Sequence, residues 1–294
     1  MLFGRLVKNM RTFLLRYVEV RRMHNLLTIF LALTGTASFA DSISLQQSCL
    51  NYLNTYPSYF KEEVISQVCE KVQQTNGCTS KNGEPIFHVD FKSKQPGAKN
   101  ILVLSLIHGD EKQAGDLARF WLERLQKVDA RNSWRIIPVA NPDGVKNKTR
   151  MNANGIDINR NFPTVDWSAD SIKFWEKDAK KSPRKFPGYA AASELETQCI
   201  MRHLEEYSPD FVISIHTPLK VLDFDGPKLA KKVRYDYLPW RSLGNFPGSL
   251  GRYLWVERQT PVLTTELRNS LPATQTPFEQ LQDLVGTLVK SDLK

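Results

Sequence analysis

Three short stretches bring chemistry-bearing side chains to the ends of apolar runs. The first is Ile107-His108-Gly109-Asp110-Glu111, which closes the run Ile101–Ile107. An imidazole and a carboxylate three positions apart, on a turn entering a helix, can converge on one point. They are two of zinc's usual ligand types. A lone pair of this spacing is common by chance. The second stretch, residues 211–217, is another apolar run that delivers His216 at its end. Two histidines at two strand ends, one with an acid beside it, form a far rarer accident. His108, Glu111 and His216 therefore read as one metal set. Two His and one Glu leave a fourth position for water, the pattern of a catalytic zinc, one per chain.

The third stretch, Leu263-Thr264-Thr265-Glu266-Leu267, sets an acid inside an apolar strand. A buried carboxylate is costly unless paired. Glu266 could pair with Arg268, or take a proton from metal-activated water. Between the two histidines lies a polar run, Thr149-Arg150-Met151-Asn152-Ala153-Asn154-Gly155-Ile156-Asp157-Ile158-Asn159-Arg160-Asn161-Phe162-Pro163. Arginines and amides in a glycine-bearing loop suit anion capture, because a guanidinium grips a carboxylate in a planar fork.

These residues need elements to hold them. Ile101–Ile107 and Phe211–Ile215 have the continuous apolarity of strands buried on both faces. Ile86–Phe91, Trp134–Val139 and Pro261–Glu266 read as further strands. Helices are expected in two pieces over 42–74, broken near Tyr56-Pro57-Ser58, then over 114–125, Ser193–Glu206, Leu250–Arg258 and Phe278–Val289. Asn141–Arg184 reads mostly as loop, and a loop that long in a compact domain is usually functional. Buried strands alternating with amphipathic helices imply an α/β fold with a largely parallel sheet, where sites sit at the carboxyl ends of strands.

In order, the HxxE pair, TRxNxxGIDINRNFP, a strand ending in His216, Gly248-Ser249-Leu250 and a strand ending Thr264-Thr265-Glu266-Leu267 resemble the zinc carboxypeptidases of the funnelin type. The resemblance covers roughly residues 86–290. It implies a mixed, largely parallel eight-stranded sheet flanked by helices on both faces, with zinc on His108, Glu111 and His216. It further implies that Arg150 stabilises the carbonyl oxyanion and that Asn159 and Arg160 grip a terminal carboxylate. Glu266 would be the general base and acid, and Leu250 would help select the released side chain. One departure stands out. The family's mobile Tyr before the Gly-Ser pair has no counterpart in 241–249; Tyr235 and Tyr237 lie further upstream. His-Gly-Asp-Glu and Asn-Arg-Asn-Phe-Pro look most like the bacterial murein amidase and DL-carboxypeptidase branch. That branch implies a peptidoglycan-derived peptide with a free carboxylate, cut at the γ-D-glutamyl–meso-diaminopimelate bond.

The chain has 294 residues and a formal charge of +9. Its composition excludes collagen-like, low-complexity and wholly disordered classes. Six cations and one acid fall in Met1–Ala40, so five of the nine excess charges sit there. A basic start, the apolar run Leu26–Thr34 and small Ser38 and Ala40 read as an export signal cleaved after Ala40. The run is shorter than the roughly 20 residues that span a bilayer, so no stable membrane anchor is expected. Met10 or Met23 could be the true start. The expected organisation is signal peptide 1–40, helical extension 41–85 and catalytic domain 86–294, with the product periplasmic. Cys49, Cys69, Cys78 and Cys199 permit disulfides. Cys69 with Cys78 closes the shortest loop; Cys49 with Cys69 suits two packed helices. Basic clusters at 177–185 and 228–234 lack a nucleic-acid module, and no nucleic-acid partner is expected. The competing functions are a hydrolase of small acylated amino acids of the aspartoacylase and succinylglutamate desuccinylase kind, a general metallocarboxypeptidase, and a non-catalytic binding protein on the same fold.

Overall fold

The structure, a computed structural model, describes residues 37–229 and 233–289. The chain divides into two units, Met1–Ser44 and Leu45–Lys294, and the sheet and the site lie in the second. Most of the expected export signal, residues 1–36, lies outside the described residues.

Six strands form one sheet among the described residues: β1 (Val89–Phe91), β2 (Asn100–Leu104), β3 (Ser133–Ile137), β4 (Phe211–His216), β5 (Val221–Asp225) and β6 (Val262–Glu266). Their order is β1-β3-β2-β4-β6-β5. The four central strands run parallel, and β1 and β5 close the two edges antiparallel. The mixed, largely parallel sheet is thus present, with six strands rather than eight. At the β1 edge Gln73 bridges His88, and at the β5 edge Leu222 bridges Trp240, each as an isolated pair too short to count as a strand.

Helices α1 (Ala37–Leu53), α2 (Glu62–Cys69), α3 (Lys112–Leu125), α4 (Pro142–Asn147), α5 (Trp167–Lys177), α6 (Leu195–Tyr207), α7 (Leu250–Arg252) and α8 (Thr276–Leu288) complete the described chain. A π-helical turn, Tyr253–Glu257, continues α7. Alternation along the strands sorts side chains into two apolar layers. Ile101, Val103, Ile213 and Ile215 face one layer with Leu117, Phe120 and Phe278. Leu102, Leu104 and Val212 face the other with Ile200, Leu204 and Leu254. Helices on both faces explain why β2 and β4 read as near-continuous apolar runs. Tyr52, Leu53, Tyr56, Ile65 and Val68, from the segment expected as a helical extension, belong to the first layer and share its core with the sheet.

The segment 141–184 holds more regular structure than its composition suggests. Asn141 accepts a hydrogen bond from Gly144 N and Pro142 opens α4, a capped start that the Asn-Pro-Asp-Gly turn signal concealed. A 3₁₀ turn spans Ile158–Arg160, and α5 follows with Trp167 buried. Strand β5 also departs from expectation, because its two aspartates hide an edge strand.

The cysteines form two disulfides, Cys49–Cys69 and Cys78–Cys199. The first joins α1 to α2. The second joins a surface turn to the middle of α6 across 121 residues of sequence. Loop-closure entropy gives such cross-links about 3 kcal/mol for the short loop and about 5 kcal/mol for the long one. Replacing Cys78 and Cys199 together by Ser should therefore lower thermal stability more than replacing Cys49 and Cys69, as differential scanning calorimetry of the two double variants would read.

Candidate metal centre and substrate cavity

Strand order brings the chemistry together. Strands β2, β4 and β6 are neighbours, and all end on the same side of the sheet. His216 closes β4, and the β4–β6 register pairs it with Glu266 at the end of β6. His108 and Glu111 follow β2 on the turn into α3. This turn packs closely against α4: a Cβ on Gly109 would lie 2.0 Å from the Gly144 carbonyl carbon. Only glycine fits there, so Gly109 lets the turn bring His108 and Glu111 inward.

His108, Glu111 and His216 are all buried, and one ligand atom from each lies within 4.8 Å of the others. Glu111 Oε1 is 2.8 Å from His108 Nδ1, and its Oε2 is 3.0 Å from His216 Nδ1. The two Nδ1 atoms are 3.1 Å apart. Both imidazoles thus present Nδ1 to one point. Their far nitrogens are held from behind: His108 Nε2 lies 3.1 Å from Asp157 Oδ1 and His216 Nε2 lies 2.9 Å from Ser214 Oγ. Anchoring of this kind fixes ring orientation and tautomer at metal sites. The donor set fits a zinc ion: two nitrogens and a carboxylate, oriented and drawn from two chain segments. Burial alone would raise the pKa of Glu111, but His108 and His216 outweigh it and hold the carboxyl well below the usual range.

Asp157, fully buried, organises the adjoining loop. Besides meeting His108, it accepts Arg150 Nε at 3.0 Å and caps the 3₁₀ turn by accepting Asn159 N at 3.0 Å. Burial opposes its charge, yet Arg150, His108 and Arg160 keep its pKa far below normal. The quoted loop contained Asp157, but one acid among asparagines gave no sign of this position. A second set of buried polar groups holds the loop to the start of α6. Asn152 Nδ2 donates to Glu194 and Glu196, Asn154 Nδ2 donates to Glu194, and Asn161 Oδ1 accepts Glu194 N.

Arg150 Nη1 sits 3.1 Å from His108 Nδ1 and 3.5 Å from Glu111 Oε1, at the edge of the metal group. Asn159 Oδ1 accepts Leu250 N at 2.8 Å, which leaves its amide NH2 for a ligand. Arg160 is buried, with its guanidinium 4.9 Å from the Phe246 ring centroid and its Nε without a partner. Burial lowers its pKa, Arg150 adds to the effect and Asp157 only partly opposes it. This corner is short of negative charge. Glu266 accepts Leu219 N at 3.1 Å, whereas Arg268 turns away to the Tyr237 carbonyl and ring.

All but one of the expected residues line a single cavity of about 440 Å³. The exception is Leu250. Its side chain packs in the second apolar layer and does not reach the cavity, which its neighbours Ser249 and Gly251 line instead. An apolar residue opening α7 is drawn to the core, which spacing after a Gly-Ser pair does not reveal. Tyr235 and Tyr237 do not line the cavity either; Tyr235 is tied to the Pro277 carbonyl. Arg184 and Lys185, from the first basic cluster, stand at the wall, and Arg184 pairs with Asp110 at 2.6 Å.

The zinc carboxypeptidase family model matches residues 62–225, more than half of the chain. The chain belongs to that family. Among similar proteins is murein peptide amidase A of Vibrio campbellii, 30% identical over 191 residues, which cover 63% of this chain and 75% of the relative. Murein peptide amidase A of Escherichia coli K12 is 32% identical over 135 residues, 45% of this chain. The chain spans just over half, 55%, of that relative's length. Among solved structures, murein-tripeptide amidase MpaA from E. coli O157 superposes with a TM-score of 0.54 at 20% identity, covering 74% of this chain and 91% of the other. Bovine thrombin-activatable fibrinolysis inhibitor gives 0.59 at 16% identity, covering 83% and 94%. These two likenesses speak for the fold.

Replacing Asp157 by Asn should weaken zinc binding about 10- to 100-fold, the usual cost of losing a partner behind a metal-bound histidine. Competition of the purified protein against a chromophoric chelator would measure it, and unchanged affinity would remove Asp157 from the centre.

Proposed function

We propose that the protein is an exported zinc peptidase that trims peptidoglycan-derived peptides, cutting the γ-D-glutamyl–meso-diaminopimelate bond. The observation that carries the reading is one cavity holding both a two-His, one-Glu metal group and the buried Arg160 guanidinium with an unpaired Nε. A metal group alone could serve many hydrolases. A carboxylate anchor beside it selects the end of a chain. The murein peptide amidase relatives support the substrate class, and a diaminopimelate end carries the required free carboxylate. Two disulfides fit an oxidising compartment, and the basic, then apolar, N-terminal segment ending at Ala40 supports export to the periplasm. Among the described residues no helix is long and apolar enough to cross a membrane.

A zinc ion held by His108, Glu111 and His216 would polarise the scissile carbonyl and make water more acidic. Asn159 and Arg160 hold the carboxylate of the residue to be released, which fixes the scissile amide over the centre. Glu266 takes a proton from the attacking water and returns it to the leaving amine. Arg150, at the edge of the metal group, stabilises the charge that develops on the carbonyl oxygen; a donor in this role is typically worth about 10²–10³ in rate. Asp157 keeps Arg150 and His108 aimed at the same place.

Mass spectrometry of purified muropeptides digested with the zinc-loaded enzyme tests the bond. Loss of diaminopimelate from the tripeptide, abolished by chelator, is the expected result. Loss of D-alanine from tetrapeptides instead would overturn the bond assignment. Glu266→Gln should retain zinc and lose at least about 10²-fold in kcat, within the span of general acid–base contributions. Metal analysis together with steady-state kinetics would check it, and full turnover would remove Glu266 from this role.

A further inference from the structure

A second cavity, of about 170 Å³, lies at the other end of the strands from the metal group. Its walls are the last turn of α3, the chain that leads into β3, and α8. Strand β3 runs parallel to β2, so the start of β3 and His108 stand at opposite ends of the sheet. None of the residues assigned above to metal, proton transfer or carboxylate binding lines it.

Donors without an acceptor gather there. Gln282 is 3% exposed, and Arg124 Nη1 donates to its Oε1. A guanidinium can only donate, so this contact fixes which end of the amide is oxygen. The other end, Nε2, is a buried donor with no partner, a costly state for a protein to keep. Asn132, also buried, accepts Lys99 N on its Oδ1 at 3.3 Å, which leaves Nδ2 as a donor. Arg131 adds an exposed guanidinium that enters no ion pair among the described residues.

Gly286 shows where these groups converge. It is buried in the interior of α8, where glycine is a poor helix former. A Cβ there would stand 3.7 Å from Arg131 Nη2 and 3.9 Å from Asn132 Nδ2, which is ordinary contact. Its φ is not positive. Neither crowding nor backbone conformation therefore requires glycine. What the missing side chain does is leave both donors uncovered, beside Gln282 four positions earlier on the same helix face. The acids on the wall do not fill the space: Asp283 is drawn to Arg124 at 3.3 Å, and Asp129 is exposed. These two offset the charge of the two arginines, so the cavity suits a single negative charge better than a dianion.

We propose that this cavity binds a small carboxylate, held by the Arg131 guanidinium and the side-chain amides of Asn132 and Gln282 over Gly286. A guanidinium fork matches the two oxygens of a carboxylate. The proposal stands apart from the peptidase reading and from the zinc ion.

Heteronuclear NMR of the full, zinc-loaded protein titrated with sodium acetate reads the cavity locally. The signals are the side-chain amides of Gln282 and Asn132 and the backbone amide of Gly286. Acetate at Arg160, at the other end of the sheet, is followed on separate signals. The expected result is one saturable shift shared by the three groups, with a dissociation constant on the order of 1 mM. Arg131→Gln alters an exposed side chain and should weaken the binding about 10-fold, the scale of one charge-assisted hydrogen bond. Gly286→Leu keeps a good helix former, covers the donors and should abolish the shift. Inorganic phosphate should bind more weakly than acetate. No saturable shift in the unaltered protein, or a shift that persists with unchanged affinity in Arg131→Gln, would overturn the site. Phosphate binding more tightly than acetate would overturn the carboxylate assignment. If Gly286→Leu lowers the melting temperature too far for titration, Arg131→Gln alone decides.

Discussion

A carboxylate with no access to water must be surrounded by donors, and Asp157 meets that demand with three. It lies against His108, accepts Arg150 and accepts the backbone of Asn159. Each partner belongs to a different part of the cavity: the candidate metal group, the arginine at its edge and the turn that carries Asn159 and Arg160. Satisfying one buried charge therefore sets three pieces of the site relative to one another. The remainder of the loop follows, because Asn152, Asn154 and Asn161 are fastened to Glu194 and Glu196 at the head of α6. Irregular backbone is held here as firmly as a strand, through polar bonds rather than apolar packing.

The parts of the site carried by the sheet were legible in the sequence. His108, His216 and Glu266 follow or close buried runs, and parallel neighbours in register bring such ends together. The parts carried by side-chain pairing were not. Asp157 and Ser214 look like any polar residue, since nothing local says which nitrogen of which histidine they will meet. Leu250 misled for the opposite reason: its position after Gly248-Ser249 suggested a lining role, but an apolar side chain opening α7 is worth more in the core, about 1.5–3 kcal/mol when fully buried. The length of the apparent loop 141–184 misled too, because a capped short helix and a 3₁₀ turn are read as turn residues.

The turn 244–251 lies between Arg160 and Asp225, both of which line the cavity of the metal group, without supplying a charge itself. Phe246 stacks on one cation, Asn245 meets one acid, and two glycines, Gly248 and Gly251, permit backbone to approach where a side chain would collide. Opposite charges in a small cavity would neutralise each other if they touched. Seating them on separate faces of one turn keeps them apart.

The Cys78–Cys199 bond gains a different meaning from its place on α6. The same helix begins at the glutamates that hold the Asn152–Asn161 loop, so oxidation of two thiols braces the support of that loop. In a reducing compartment that helix holds its place by packing and polar bonds alone. The covalent brace arrives only when the chain meets an oxidant, which makes the finishing of this support a matter of where the protein is, as well as of how it folds.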